Sequence, residues 1–198
     1  MDRELGGTTA TGGDAVPDRR HRWVLPALAA GVAVAAVAAI AIWLLVRGGG
    51  EEAQPPQRAR ASAVSIEELH ALARSVGHPV YWAGRQPRFT YELSRTANGG
   101  VYIRYLPPGA EVGDARPDYL TVGTYPQANA FTTLRATAQK QGVSTIRLGG
   151  GGLAFQHETH PTSAYLAYPG SDFQIEVYDP IPGRARQLIA SGRIVRVG

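Results

Sequence analysis

Arg88–Leu106 reads RFTYELSRTANGGVYIRYL, and the way it pairs with itself decides the fold. Phe89, Tyr91 and Leu93 alternate along one arm, and Val101, Ile103 and Tyr105 along the other, the period of strands with one buried face. Asn98-Gly99 between them invites a two-residue hairpin loop. That loop would set Leu93 opposite Arg104 and split the apolar side chains between two faces. A three-residue loop, Ala97-Asn98-Gly99, with Gly99 left-handed as in a bulge, instead pairs Leu93 with Ile103 and Tyr91 with Tyr105. It also sets Glu92 opposite Arg104 on a solvent-facing side. A slip of one residue reverses every side chain, so burial selects the three-residue loop.

Before the hairpin stands a well-marked helix. Ser65 is its N-cap and Glu68, three positions on, completes a capping box, with Val64 and Leu69 placed as a hydrophobic staple. Ile66, Leu69, Leu72, Ala73 and Val76 make one apolar stripe, Gly77 stops the helix and Pro79 prevents its continuation. Val80–Trp82 reads as a short strand. After the hairpin, 107–117 is a polar loop and Tyr119–Thr124 a strand. Pro126 is expected to open a helix whose inner face is Ala128, Phe131, Leu134 (or the stem of Arg135) and Ala138, closed by Gly142. Val143–Leu148 and Leu153–Gln156 are strands around the run Gly149–Gly152. Ser163–Tyr168 and Phe173–Tyr178 form a second hairpin about Pro169–Asp172, with Phe173, Ile175 and Val177 inward. Arg184–Ser191 is a short helix stopped by Gly192, and Arg193–Val197 a last strand.

These elements predict an α+β domain over residues 64–198: an antiparallel sheet with about three helices packed mainly on one face. Its halves rhyme. Each runs hairpin, strand, helix, glycine stop, strand, the pattern a decayed duplication would leave.

Working further out, Trp23–Val46 (WVLPALAAGVAVAAVAAIAIWLLV) carries no charged side chain. As a helix, Val24–Val46 would extend roughly 34 Å, enough for a hydrocarbon core of about 30 Å. Trp23 and Trp43 stand where indoles favour the headgroup region, and Pro26 sits in the first turn, where a missing N–H is tolerated. The run is longer than a secretory signal core, so an uncleaved signal-anchor is expected. Arg19, Arg20 and Arg22 precede the span, while Arg47 and then Glu51 and Glu52 follow it. That bias puts the N-terminus in the cytoplasm and the C-terminal domain outside a cell membrane crossed once. Residues 1–22 read as a disordered tail and 47–63 as a flexible linker, with Pro55-Pro56 stiffening it locally. The bilayer, met through residues 23–46, is therefore an expected partner.

Composition narrows the chemistry. Net charge is +4 over 198 residues and Lys140 is the only lysine. The arginine excess, with abundant Ala, Gly and Pro, reads as high-GC base composition, and no nucleic-acid partner is expected. There is no cysteine, which excludes disulfides and thiolate metal sites. His157-Glu158-Thr159-His160 holds the only candidate metal ligands, His157 and His160. On a strand these would point to opposite faces, unlike the helical H-E-x-x-H, so neither a metal nor a cofactor is expected. The glycine run lacks the Lys-Ser/Thr of a phosphate loop, no G-x-S-x-G occurs, and no carboxylate pair is spaced for acid–base work. The remaining signal is tyrosine. Tyr102 and Arg104 on the polar side of the first hairpin, with Arg85 and Arg88 just before it, are the candidate binding surface, because Tyr and Arg are characteristic interface anchors.

This plan resembles small single-pass membrane-anchored proteins of high-GC Gram-positive bacteria. The Ser163–Ser191 ending is similar to extracytoplasmic modules attached to anti-sigma-type proteins. The resemblance implies a location and no activity. The expected role is an extracytoplasmic binding, assembly or sensing module without catalysis, meeting an envelope protein or cell-wall partner. The alternatives are an envelope enzyme such as a hydrolase, and a structural accessory subunit of a membrane complex.

Overall fold

The computed structural model describes residues 61–198. The tail, the apolar span 23–46 and nearly all of the expected linker lie outside the described residues. Among the described residues no helix is long and apolar enough to cross a membrane.

The fold is an antiparallel sheet with three helices. Strands β1 (Ser62–Val64), β3 (Thr90–Arg95), β4 (Val101–Leu106), β5 (Thr121–Pro126), β6 (Val143–Arg147), β7 (Leu153–His157), β8 (Ser163–Ala167) and β9 (Phe173–Tyr178) form one sheet, in the order β1-β3-β4-β5-β9-β8-β7-β6. The first hairpin has the register that burial selects: Leu93 faces Ile103, Tyr91 faces Tyr105 and Glu92 faces Arg104. Its loop closes with the Gly99 amide on the Thr96 carbonyl, and Gly99 is left-handed, with φ +87°. Ser62 and Ala63, read from sequence as the end of the linker, belong to β1, which adds an edge strand to β3.

Helix α1 (Ile66–Ser75) carries the complete capping box, with Glu68 N donating to Ser65 Oγ and Ser65 N to Glu68 Oε2. Its stripe packs with Ile103, Val122, Leu166, Ile175 and Val177 from one face of the sheet. Helix α3 (Arg184–Ala190) buries Ala185 and Ile189 against the same face. Strands β2 (Tyr81–Trp82) and β10 (Val195–Arg196) do not join the main sheet. They pair with each other as a two-stranded sheet over that core. Two hydrogen bonds tie this small sheet down: Tyr81 N donates to Thr124 Oγ1, and Ala83 N to Tyr105 Oη at 2.7 Å.

Helix α2 (Ala130–Thr137) lies on the opposite face. There Ala130 and Leu134 pack with Phe155, Tyr165 and Ala167. Two of the three helices therefore share a face and the third does not. The expected start at Pro126 is four residues early. Pro126 continues β5 opposite Phe173, and the chain turns through Asn129, left-handed at φ 54°. Asp172 fixes that turn, its carbonyl accepting from Gln127 N and its carboxylate from Asn129 N. The rhyming halves share an order of elements but not an arrangement. Helices α2 and α3 lie on opposite faces, β6 edges the main sheet, and β10 leaves it.

Candidate functional site, a tyrosine-lined sheet face

On the face that α2 covers at one end, the other end is covered by the 107–120 segment. Glu92 and Arg104, expected at a solvent-facing surface, lie beneath it. Glu92 is 1% exposed and its Oε1 accepts from Arg104 Nη1 at 2.7 Å. The other Arg104 nitrogen donates to the carbonyls of Asp114 and Arg116, and Gly113 N donates to Glu92 Oε2. The Arg104 guanidinium also lies 4.9 Å from the Tyr119 ring centre. With Nη1 on Glu92 of β3 and Nη2 on two carbonyls of the 107–120 segment, a strap across the sheet, Arg104 is a clamp rather than a free anchor. Asp114 carries the second half of the clamp. Its carboxylate accepts from Arg116 and from Tyr119 Oη, and the Arg116 hydrogen bond holds its pKa well below the usual carboxylate range. Tyr178 Oη donates to the Pro117 carbonyl at 2.6 Å, securing the strap across β9.

Between strap and helix the sheet presents a continuous cross-strand row. Tyr102 on β4 faces Gly123 on β5, Gly123 faces Glu176 on β9, and Glu176 faces Tyr165 on β8. Gly123 is needed here because a Cβ would stand 2.8 Å from the Tyr102 ring. Without it, that ring lies down across the strand. The Tyr102 and Tyr125 rings are near-parallel, 6.4 Å between centres and 16° between planes, and Gln174 Nε2 donates to Tyr125 Oη at 2.9 Å. Tyr102, Tyr125 and Gln174 are all half-buried.

Glu176 lies beneath them. It is 7% exposed, and its Oε1 accepts from Tyr165 Oη at 3.2 Å. Burial raises its pKa to about 7, against the opposing pull of the Tyr165 and Ser163 hydroxyls. No ion pair reaches it among the described residues. The phenols respond in kind. Burial and then the nearby Glu176 push Tyr102 up to about 12, and the same two causes raise Tyr125 well above its ordinary value.

The other sequence candidates fall elsewhere. Arg85 and Arg88 are exposed on the connection between β2 and β3, Arg88 with a left-handed φ of 71°. They share no hydrogen bond or ion pair with Tyr102 or Arg104 among the described residues. His157 ends β7 and His160 sits in the turn after it, so the expected alternation breaks and their rings come to 6.2 Å. Burial, with His160 and Lys140 nearby, lowers the His157 pKa. No group of three His, Cys, Asp or Glu placed to hold a metal occurs among the described residues. Sequence reasoning missed Glu176, Tyr125 and Gly123. Two signals pointed to them: a lone glycine inside Thr121–Thr124, and the Ser163–Ala167 run, buried on both sides, which places neighbours of β8 between two layers. Compared with known proteins, the chain matches no family model, no curated protein and no solved structure.

Proposed function

We propose that this chain is a membrane-anchored module that recognises an envelope ligand or partner through the tyrosine-lined face of an extracytoplasmic domain, for binding, assembly or sensing. The anchor rests on the apolar run 23–46, and the orientation on the arginines before it. One observation carries the recognition reading: Tyr102 and Tyr125 stay half-buried and near-parallel between α2 and the strap. Rigid aromatic rings fixed by backbone packing supply contact area at low entropic cost, which is why they anchor interfaces.

The test places a photocrosslinking amino acid at Tyr102 or Tyr125 of the full-length protein in native membranes, with Arg74 on the exposed side of α1 as control. The expected result is one stoichiometric adduct at both tyrosine positions and none at Arg74. Equal labelling at all three positions would defeat the reading. A second reading, an envelope hydrolase, is favoured by Glu176, a carboxyl raised to about 7 beside a phenol hydroxyl, the make-up of a general acid. It would require Glu176→Gln to abolish a hydrolytic activity while the adducts persist.

A further inference from the structure

The tyrosine face has an electrostatic character at odds with the rest of the chain. The protein carries a net +4, yet the row Tyr102, Gly123, Glu176, Tyr165 and the flanking Tyr125 and Gln174 contain no cation. Arg104, two residues from Tyr102 on β4, is committed to Glu92 and the strap. A carboxylate buried without a counter-charge is costly, and a cation brought to it stabilises that charged form. The rings that cover it present electron-rich faces, and both Tyr102 and Tyr125 stand close enough to Glu176 to feel its charge. Aromatic faces backed by a carboxylate make up a site for a weakly hydrated organic cation, which gains from the ring quadrupoles and needs few hydrogen bonds.

We infer that the Tyr102–Tyr125 face, with Glu176 beneath it, binds an organic ammonium group, quaternary or alkylated, as the charged end of its ligand. This rests on the reading that the tyrosine face is the recognition surface and names the chemistry it takes. The ammonium lies against the rings and supplies the positive charge that Glu176 lacks among the described residues. Gly123 contributes by letting the Tyr102 ring lie over the β5 backbone, close to the carboxyl.

Full-length protein in maltoside micelles, free of phosphatidylcholine, is titrated with choline and, separately, with 3,3-dimethyl-1-butanol, its uncharged carbon isostere. Binding is followed by ligand-observed NMR. Choline is expected to bind about tenfold more tightly than the isostere. Glu176→Gln is expected to lose about tenfold for choline and little for the isostere, and Tyr102→Leu or Tyr125→Leu to lose about fivefold. Thermal melts establish that each variant is folded, and Tyr102→Phe, which keeps the ring, should bind choline as the wild type does. Equal affinity for choline and isostere, both weakened by Tyr102→Leu, would overturn the cation assignment and leave the recognition surface standing. Choline binding indifferent to both Glu176→Gln and Tyr102→Leu would overturn the two together.

Discussion

At the residue scale the domain turns on Glu176. Its folded pKa of about 7 lies above its ordinary 4.5, so the fold holds the proton more tightly than the unfolded chain does. The stability this contributes is complete below 4.5 and is lost as pH rises through about 7. Across that window the protein should lose up to about 3 kcal/mol. Glu176→Gln should remove this slope and be the more stable form at alkaline pH. Urea midpoints measured on both sides of neutrality check this. A wild type whose midpoint does not move between them would show that Glu176 is not buried as described. Gly123 is the complementary case. In Gly123→Ala the new methyl would stand 2.8 Å from the Tyr102 ring, and the ring must leave the strand. The expected cost is about 1–3 kcal/mol. The spectroscopic sign is a fall of the Tyr102 titration from about 12 toward its ordinary 10.0, read by ultraviolet difference spectra.

At the scale of elements, the strap and the capped helix are held by different means. The strap is held by the Glu92–Arg104 pair together with the Asp114 and Tyr178 contacts. Arg104→Met leaves Glu92, 1% exposed, without its partner, and removes the donors that hold the Asp114 and Arg116 carbonyls. A loss of about 3–5 kcal/mol is expected, with hydrogen exchange rising first in 107–120. Replacing both partners with apolar residues should recover part of that loss, because no buried charge is then orphaned. Recovery beyond the single variant in a double-mutant cycle is the check. Helix α1 depends on Ser65, whose Oγ accepts from Glu68 N at 3.1 Å. Ser65→Ala should cost about 1 kcal/mol and leave the strap's exchange unchanged. This element could be read from sequence in full, because every interaction that caps it lies within four residues. Helix α2 could not. Its start is displaced to Ala130 by Asp172, 43 positions away from Asn129 in the chain.

At the scale of the molecule, the proposal joins an apolar anchor to a domain with a polar, aromatic face. Protease added to intact cells should digest the 61–198 region and spare it in none of the accessible copies, whereas protection until the cells are opened would reverse the orientation. The small sheet of β2 and β10 makes the chain's last residues part of the core. Ile194 and Val197 are both buried, and Val197 N donates to the Val80 carbonyl at 2.8 Å. Truncation after Gly192 removes both side chains and the partner strand of Tyr81–Trp82. It should lower stability by several kcal/mol, about 1.5–3 for each buried aliphatic side chain, as measured by thermal or urea unfolding.

What the sequence determined by itself was whatever rests on local period and nearest turns: the hairpin register about Asn98-Gly99, the capping box at Ser65, the α+β class and the apolar run 23–46. Alternation could say that Glu92, Arg104, Tyr102 and Glu176 turn away from the main core. It could not say what would then cover them. Only the tertiary structure decided that the strap closes over Glu92 and Arg104, that α2 crosses to the second face, and that Tyr102, Tyr125 and Glu176 meet in the gap between. The physical reason is that burial on a sheet's second face is set by segments distant in sequence. A strand's own pattern records which side a residue takes, and the packing of other elements decides whether that side is water or protein.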